Sequence, residues 1–149
     1  IVGAIPGALP PLGGWVAATN TINMEGLMLF GILFTWQIPH FLSLAVIYKD
    51  DYLKGGFKML PSFTTNNNVV SFQILFFTMA LIYTSVGIFI LKLTSFVYVF
   101  GAILLGLIFL FYSSYILFDY SSKNIKRIFI FSIVYLPALL LLIIIDSFF

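Results

Sequence analysis

Cysteine is absent from this sequence and charge is scarce. Without a thiol there is neither a disulfide framework nor a thiolate metal site. Only 8% of the 149 residues are charged, against about 25% in an ordinary soluble domain. Seven Lys and Arg, five Asp and Glu and one His cannot supply the polar covering that a water-facing surface needs. A net charge of +2 is too small to hold a nucleic acid, so no nucleic-acid partner is expected. No internal repeat is evident, and Gly3-x-x-x-Gly7 is a lone small-residue pair, weak evidence for helix association. A basic leader of the secretory kind is also missing. The first residue is Ile and the chain opens directly in apolar sequence, as expected of a piece of a longer protein.

What the sequence has instead is hydrocarbon: 62% of it is apolar and 19% aromatic. That composition predicts an all-α, multi-pass transmembrane bundle with membrane lipid as its solvent. A bilayer core of about 30 Å needs about 20 apolar residues per helix. Five runs qualify, at about 1–19, 25–48, 69–91, 96–118 and 128–148. The first is unusual, since Pro6, Pro10, Pro11, Gly13 and Gly14 weaken a helix and remove backbone donors. Within lipid such a segment is tolerated where protein satisfies the freed groups, which predicts a place in the bundle interior. The phenylalanines within the spans are expected to serve packing and lipid contact.

The basic residues set the orientation. With alternating spans, the connections 49–68 and 119–127 share one face. That face carries Lys49, Lys54, Lys58, Lys123, Lys126 and Arg127, leaving only Lys92 opposite. The positive-inside rule places both charged loops in the cytoplasm, or in the matrix of a mitochondrion.

Chemistry-bearing residues gather in one stretch. Trp36-Gln37-Ile38-Pro39-His40-Phe41 lies inside the second span, and Lys49-Asp50-Asp51-Tyr52-Leu53-Lys54-Gly55-Gly56-Phe57-Lys58 follows at its charged end. His40 sits nine residues before Lys49, roughly 13 Å down a helix. An ionisable group at that depth is costly and marks a functional hypothesis; a hydrogen bond to a neighbouring helix is the plainer reading, and a heme ligand the sharper one. Gln37, His40, Ser43, Ile47 and Asp51 are expected near one helix face. The plain reading of Asp50 and Asp51 is a solvated loop pair. Their setting favours more: two glycines permit a tight turn, and Mg2+ binds through one or two carboxylates plus substrate phosphates. Nearby lysines would neutralise a departing diphosphate.

Together, Gly7-Ala8-Leu9-Pro10-Pro11-Leu12-Gly13-Gly14-Trp15, Trp36-Gln37-x-Pro39-His40-Phe41, Lys49-Asp50-Asp51-Tyr52-x-x-x-Gly56 and Met59-Leu60-Pro61 resemble the heme O synthase (protoheme farnesyltransferase) branch of the UbiA-type membrane prenyltransferases. Arg127-x-Phe129-x-Phe131-Ser132-x-x-Tyr135-Leu136 and Asp146 fit the same pattern. The resemblance covers essentially the whole chain. It implies a nine-helix enzyme of which this is the C-terminal half, part of a single domain, with Lys49–Pro61 as the second of two aspartate-bearing loops. It implies transfer of farnesyl from farnesyl diphosphate to a vinyl group of heme B, in a bacterial inner membrane or a mitochondrial inner membrane. A heme A synthase would take the product. By the same resemblance Asp50 and Asp51 bind Mg2+ and diphosphate, with Lys54, one helical turn from Asp50, as the favoured diphosphate contact beside Lys49 and Lys58. Trp36, Gln37 and His40 would bind substrate, His40 and Trp36 facing the prenyl or heme cavity. The Asp-x-x-x-Asp form common in the wider superfamily is missing, which favours the heme O branch. The first aspartate-rich motif is missing too, so the fragment alone is expected to be inactive. The alternatives are a UbiA-type enzyme with a quinone or chlorophyll-like acceptor, and a non-catalytic transport or assembly protein, since broken helices and a midplane histidine also occur in transporters.

Overall fold

The computed structural model describes residues 3–57, 59–63 and 66–148. In chain order the helices are α1 (Ala4–Thr19), α2 (Met24–Ile47), α3 (Lys49–Lys54), α4 (Leu60–Phe63), α5 (Asn67–Ile90), α6 (Phe96–Tyr115) and α7 (Ser122–Asp146). The described residues contain no strand. Each of the four long helices begins at a polar cap. The side chains of Asn23, Asn66, Ser95 and Ser121 accept from backbone N–H groups of Gly26, Asn68, Val97 and Asn124, occupying donors that the first helical turn leaves unpaired.

Those four helices have the length and hydropathy to cross a membrane, and they close a ring in which α2 packs on α5, α5 on α6, α6 on α7 and α7 on α2. The chain is an integral, multi-pass helical membrane protein. Its outer surface is apolar, with Phe72, Phe76, Phe100 and Phe111 all exposed, which is what a lipid-facing surface requires.

The first segment departs from expectation. α1 is 16 residues long, about 24 Å at helical rise, so it falls short of a full crossing. It lies outside the ring against α2, with only Ala4 and Ala8 buried. Nor do the prolines break it. Pro10 and Pro11 sit inside a continuous helix, and α2 supports that helix from the side. Gln37 Nε2 donates to the Ala4 carbonyl at 2.6 Å. Gly7 makes the approach possible, because a Cβ there would stand 2.5 Å from Gln37 Oε1. Further along, Gly26 of α2 accepts the Trp15 ring, which a Cβ would meet at 2.7 Å.

One other boundary moved, and the 49–68 connection is partly helical. α7 begins at Ser122 rather than near residue 128: hydropathy marks where lipid starts, whereas the Ser121 cap marks where the helix starts. Lys123, Lys126 and Arg127 therefore ride on the first turns of α7. Within the 49–68 connection, α3 ends in a Schellman turn. Phe57 N–H donates to Tyr52 O and Gly56 N–H to Leu53 O, with Phe57 edge-on to Tyr52 at 6.2 Å. Gly56 takes φ +74, the left-handed conformation this turn needs.

The ring interior is mixed. Ile74, Leu81, Phe109, Ile128 and Leu139 are fully buried, and polar side chains cross between helices among them. Thr78 pairs with Ser113 at 2.9 Å, Ser85 with the Tyr135 hydroxyl at 3.2 Å, and the Tyr98 hydroxyl donates to Ser85 O at 3.1 Å. Such bonds contribute about 0.6 kcal/mol each on average in a membrane, so close packing carries most of the cohesion. At the end of the ring away from the charged loops, Asp146 of α7 accepts from Ser95 N–H at 2.6 Å, from the Ser95 hydroxyl and from Tyr98 N–H at 3.1 Å. A carboxylate thus sits on the positive end of α6.

At Gly106 α5 and α6 approach closely, since a Cβ there would stand 2.7 Å from Ile82 Cγ1. Gly106→Leu is expected to destabilise the bundle by about 1–3 kcal/mol through overpacking, seen as a lowered unfolding midpoint in detergent, whereas Gly13→Leu on the open face of α1 leaves it unchanged.

Candidate functional site

The candidate residues of α2 and α3 divide between two flanks of α2. Gln37 turns to α1, as described. Trp36 and His40 turn to α7: Trp36 Nε1 donates to the Ser132 carbonyl at 2.7 Å, and His40 Nδ1 lies 2.8 Å from Ser132 Oγ. The imidazole stacks between Trp36, at 4.9 Å, and Phe129, at 5.0 Å, with Phe41 edge-on at 5.3 Å. It is half-buried. The expected common face of Gln37, His40, Ser43, Ile47 and Asp51 is therefore shared out between partners, because two different helices flank it.

At the charged end of the same α2–α7 groove lies a cleft of about 410 Å3, lined by Ile47, Tyr48 and Asp51 on one side and Ser122, Ile125 and Lys126 on the other. On α7, Ser122, Ile125, Lys126, Phe129 and Ser132 recur at three- and four-residue spacing and so share one face. Along the same α2–α7 interface His40 lies below that cleft, about 10 Å away by the rise from His40 to Ile47. Lys126 and Ser122 escaped the sequence reading because they lie far from the aspartates in the chain. The signal available was the 4-3-3 spacing that joins Ser122 and Lys126 through Phe129 to Ser132.

The other candidates sit elsewhere. Lys54 Nζ pairs with Asp51 Oδ1 at 4.0 Å rather than with Asp50. Both partners are largely exposed, so the pair adds little stability. Asp50 is exposed on α3. Lys49 lines a small space of about 80 Å3 with Pro61, Asn67 and Tyr120, separate from the cleft but sharing Val46 with it. Burial pushes the Tyr120 phenol pKa up, so it stays neutral there. Lys58 lies outside the described residues.

A larger cavity of about 630 Å3 occupies a different flank of α2. Ile38, Phe41, Leu42 and Ala45 form its α2 wall, Met59, Leu60 and Pro61 its roof, and Gln73 of α5 joins them. On the wheel its α2 wall is roughly opposite Trp36, His40 and Ile47. Gln73 was also missed; as an amide set deeper into α5 than Asn67 and Asn68 at its start, it was detectable. The structure thereby gives the Met59-Leu60-Pro61 run a place, closing an apolar cavity at the membrane edge.

Among the described residues no three His, Cys, Asp or Glu side chains converge as a metal cluster. Asp50 and Asp51 do not make a closed all-protein site. Asp51 at the cleft, with Asp50 exposed beside it on α3, does fit a share in Mg2+ coordination, the rest coming from phosphate and water oxygens.

The UbiA prenyltransferase family matches residues 1–136 of the sequence. A curated protein from Salinibacter ruber named protoheme IX farnesyltransferase is 38% identical over 148 residues, covering 99% of this chain and 52% of its own length. Proteins of the same name from Polynucleobacter necessarius and Solibacter usitatus are 38% and 39% identical over 149 and 145 residues, covering 100% and 97% of this chain and 50% of each relative. No solved structure matches the chain. A multi-pass helical bundle with an acidic and basic cleft above an aromatic groove is the class of protein that fold and site define. The chain belongs to the UbiA prenyltransferase family, and it spans about half the length of the curated relatives it matches.

Lys126 is the groove's own cation. In the full-length protein with Mg2+ present, Lys126→Gln is expected to weaken inorganic pyrophosphate binding about tenfold, the size of one charge-assisted hydrogen bond, while Lys123→Gln has little effect. Titration calorimetry reads the difference.

Proposed function

We propose that this chain is the C-terminal part of a single-domain enzyme that transfers farnesyl from farnesyl diphosphate to a vinyl group of heme B, giving heme O for respiratory oxidases. The observation that carries this reading is the α2–α7 interface, with a cleft at Asp51 and Lys126 and an aromatic cluster around His40 one to two turns below it, in a chain that matches protoheme IX farnesyltransferases along its whole length. The other half of the enzyme would supply the remaining carboxylates, so this chain alone is inactive.

Each part of the groove then has a task. Mg2+, when bound, neutralises diphosphate charge as the C–O bond of the allylic ester breaks. Asp50 and Asp51 hold their share of that ion, and Lys126 and Lys54 hold diphosphate oxygens. With the leaving group so stabilised, the allylic carbon becomes electrophilic and the terminal carbon of the heme vinyl attacks it. The new bond leaves positive charge on the inner vinyl carbon, where a water adds and loses a proton, giving a hydroxyethylfarnesyl side chain. The apolar walls keep other water from the cation before the vinyl reaches it. The isoprenoid tail fits the cavity beneath Met59, Leu60 and Pro61. A heme A synthase is the partner that would receive the product.

The test uses the complete protein in membranes of a host without its own heme O synthase, supplied with farnesyl diphosphate and Mg2+. Mass analysis of extracted hemes is expected to show a farnesylated heme for wild type and a loss of at least about 100-fold for Asp51→Asn, as when electrostatic stabilisation of a leaving group is removed. Heme B alone from well-folded wild type would point to a quinone-type acceptor instead.

Both charged connections are proposed to face the cytoplasm of a bacterial inner membrane, or the matrix side of the mitochondrial one. This chain lacks cysteine, so single cysteines report cleanly on sidedness. In sealed inside-out vesicles of the complete protein, other cysteines removed, an impermeant maleimide should label Gly56→Cys and spare Leu93→Cys.

A further inference from the structure

His40 was open to two readings, a hydrogen bond to a neighbouring helix or a ligand to iron. The geometry joins them, because they use different nitrogens of one ring. Ser132 has a single hydroxyl proton. Its shorter contact is to the Phe129 carbonyl, at 2.6 Å, and its contact to His40 Nδ1 is 2.8 Å. The shorter contact favours the proton on Phe129 O; Ser132 Oγ then accepts from the ring and Nδ1 carries the hydrogen. The neutral imidazole then has its lone pair on Nε2.

That nitrogen is free. Among the described residues nothing hydrogen-bonds to it, and it is not sealed from the surface. A basic nitrogen within a membrane span without a partner is costly, and this one is held in place with unusual care. Trp36 and Phe129 clamp the ring faces, while Trp36 Nε1 is itself tied to the Ser132 carbonyl. A ring fixed by stacking, a tautomer fixed by a second nitrogen's hydrogen bond and an open Nε2 are the features by which proteins present histidine to a metal.

We infer that His40 Nε2 is an axial ligand to the iron of the heme substrate, with Ser132 as its positioning residue. This rests on the proposed heme acceptor and deepens it. Vinyl groups lie on the edge of the macrocycle, so pinning the iron at His40 holds that edge in the groove that leads to Asp51 and Lys126. The ligand therefore acts as an orienting device, fixing the acceptor before the diphosphate departs.

The test compares heme with metal-free protoporphyrin IX, both titrated into purified full-length protein in detergent. His40→Ala is expected to lower heme affinity by more than about tenfold and shift the heme absorption bands, while protoporphyrin affinity is unchanged because no iron is there to lose its ligand. Ser132→Ala, which keeps the imidazole, should weaken heme alone by about tenfold, the usual cost of removing a ligand's hydrogen-bond partner. Unaltered heme bands in His40→Ala protein that binds heme would overturn the ligand and leave the proposed function standing. Equal losses for both porphyrins in His40→Ala pass the decision to Ser132→Ala, where wild-type heme affinity overturns the inference. Wild type that neither binds heme nor farnesylates it would overturn the proposed function, and this inference with it.

Discussion

Hydrocarbon offers a polypeptide neither donors nor acceptors, so every backbone polar group that enters it must find its partner within the protein. The four long helices meet that demand along their length. At their ends, where four groups per terminus lack partners, side chains take over: Asn23, Asn66, Ser95 and Ser121 at the starts, and Asp146 reaching from the end of α7 to the start of α6. Position in the ring follows from which capped helices can press closest, and that is decided by small residues. Gly31 meets Thr84 across α2 and α5, Gly106 meets Ile82 across α5 and α6, and Gly101 meets Leu142 across α6 and α7.

The same demand explains how a helix with two adjacent prolines persists. α1 keeps its form because α2 lends it a side-chain donor through Gln37 and a flat seat for Trp15 at Gly26. Gln37 thus serves packing in this chain, whereas its neighbours Trp36 and His40 line the groove. One turn of helix separates a structural amide from a candidate substrate ligand, and only the identity of the flanking helix distinguishes them.

α2 is the hub. It touches α1, α5 and α7, and its flanks carry both candidate ligand spaces: the charged cleft and aromatic cluster toward α7, and the apolar cavity roofed by Met59, Leu60 and Pro61. Such a division suits the proposed reaction, whose charged headgroup, long apolar chain and flat aromatic acceptor would each need a different wall.

Much of this was determined by the sequence alone. Scarce charge and continuous apolar runs of about 20 residues specify a multi-pass helical bundle, because lipid admits only helices and closed barrels and barrel strands are shorter and alternate in polarity. The aspartate pair, the glycines behind it and the midplane histidine were all visible, since each is conspicuous against an apolar background. Tertiary structure decided what those residues face. Lys126 and Ser132 are more than seventy positions from Asp51 along the chain and enter the groove only because α7 packs on α2. The tautomer of His40 depends on a hydroxyl from another helix, and the turn from Gln37 to α1 depends on α1 lying outside the ring. Composition and periodicity are local or summed properties. Which helix sits beside which is set by the fit of side chains across interfaces, and no single stretch of sequence contains both sides of one.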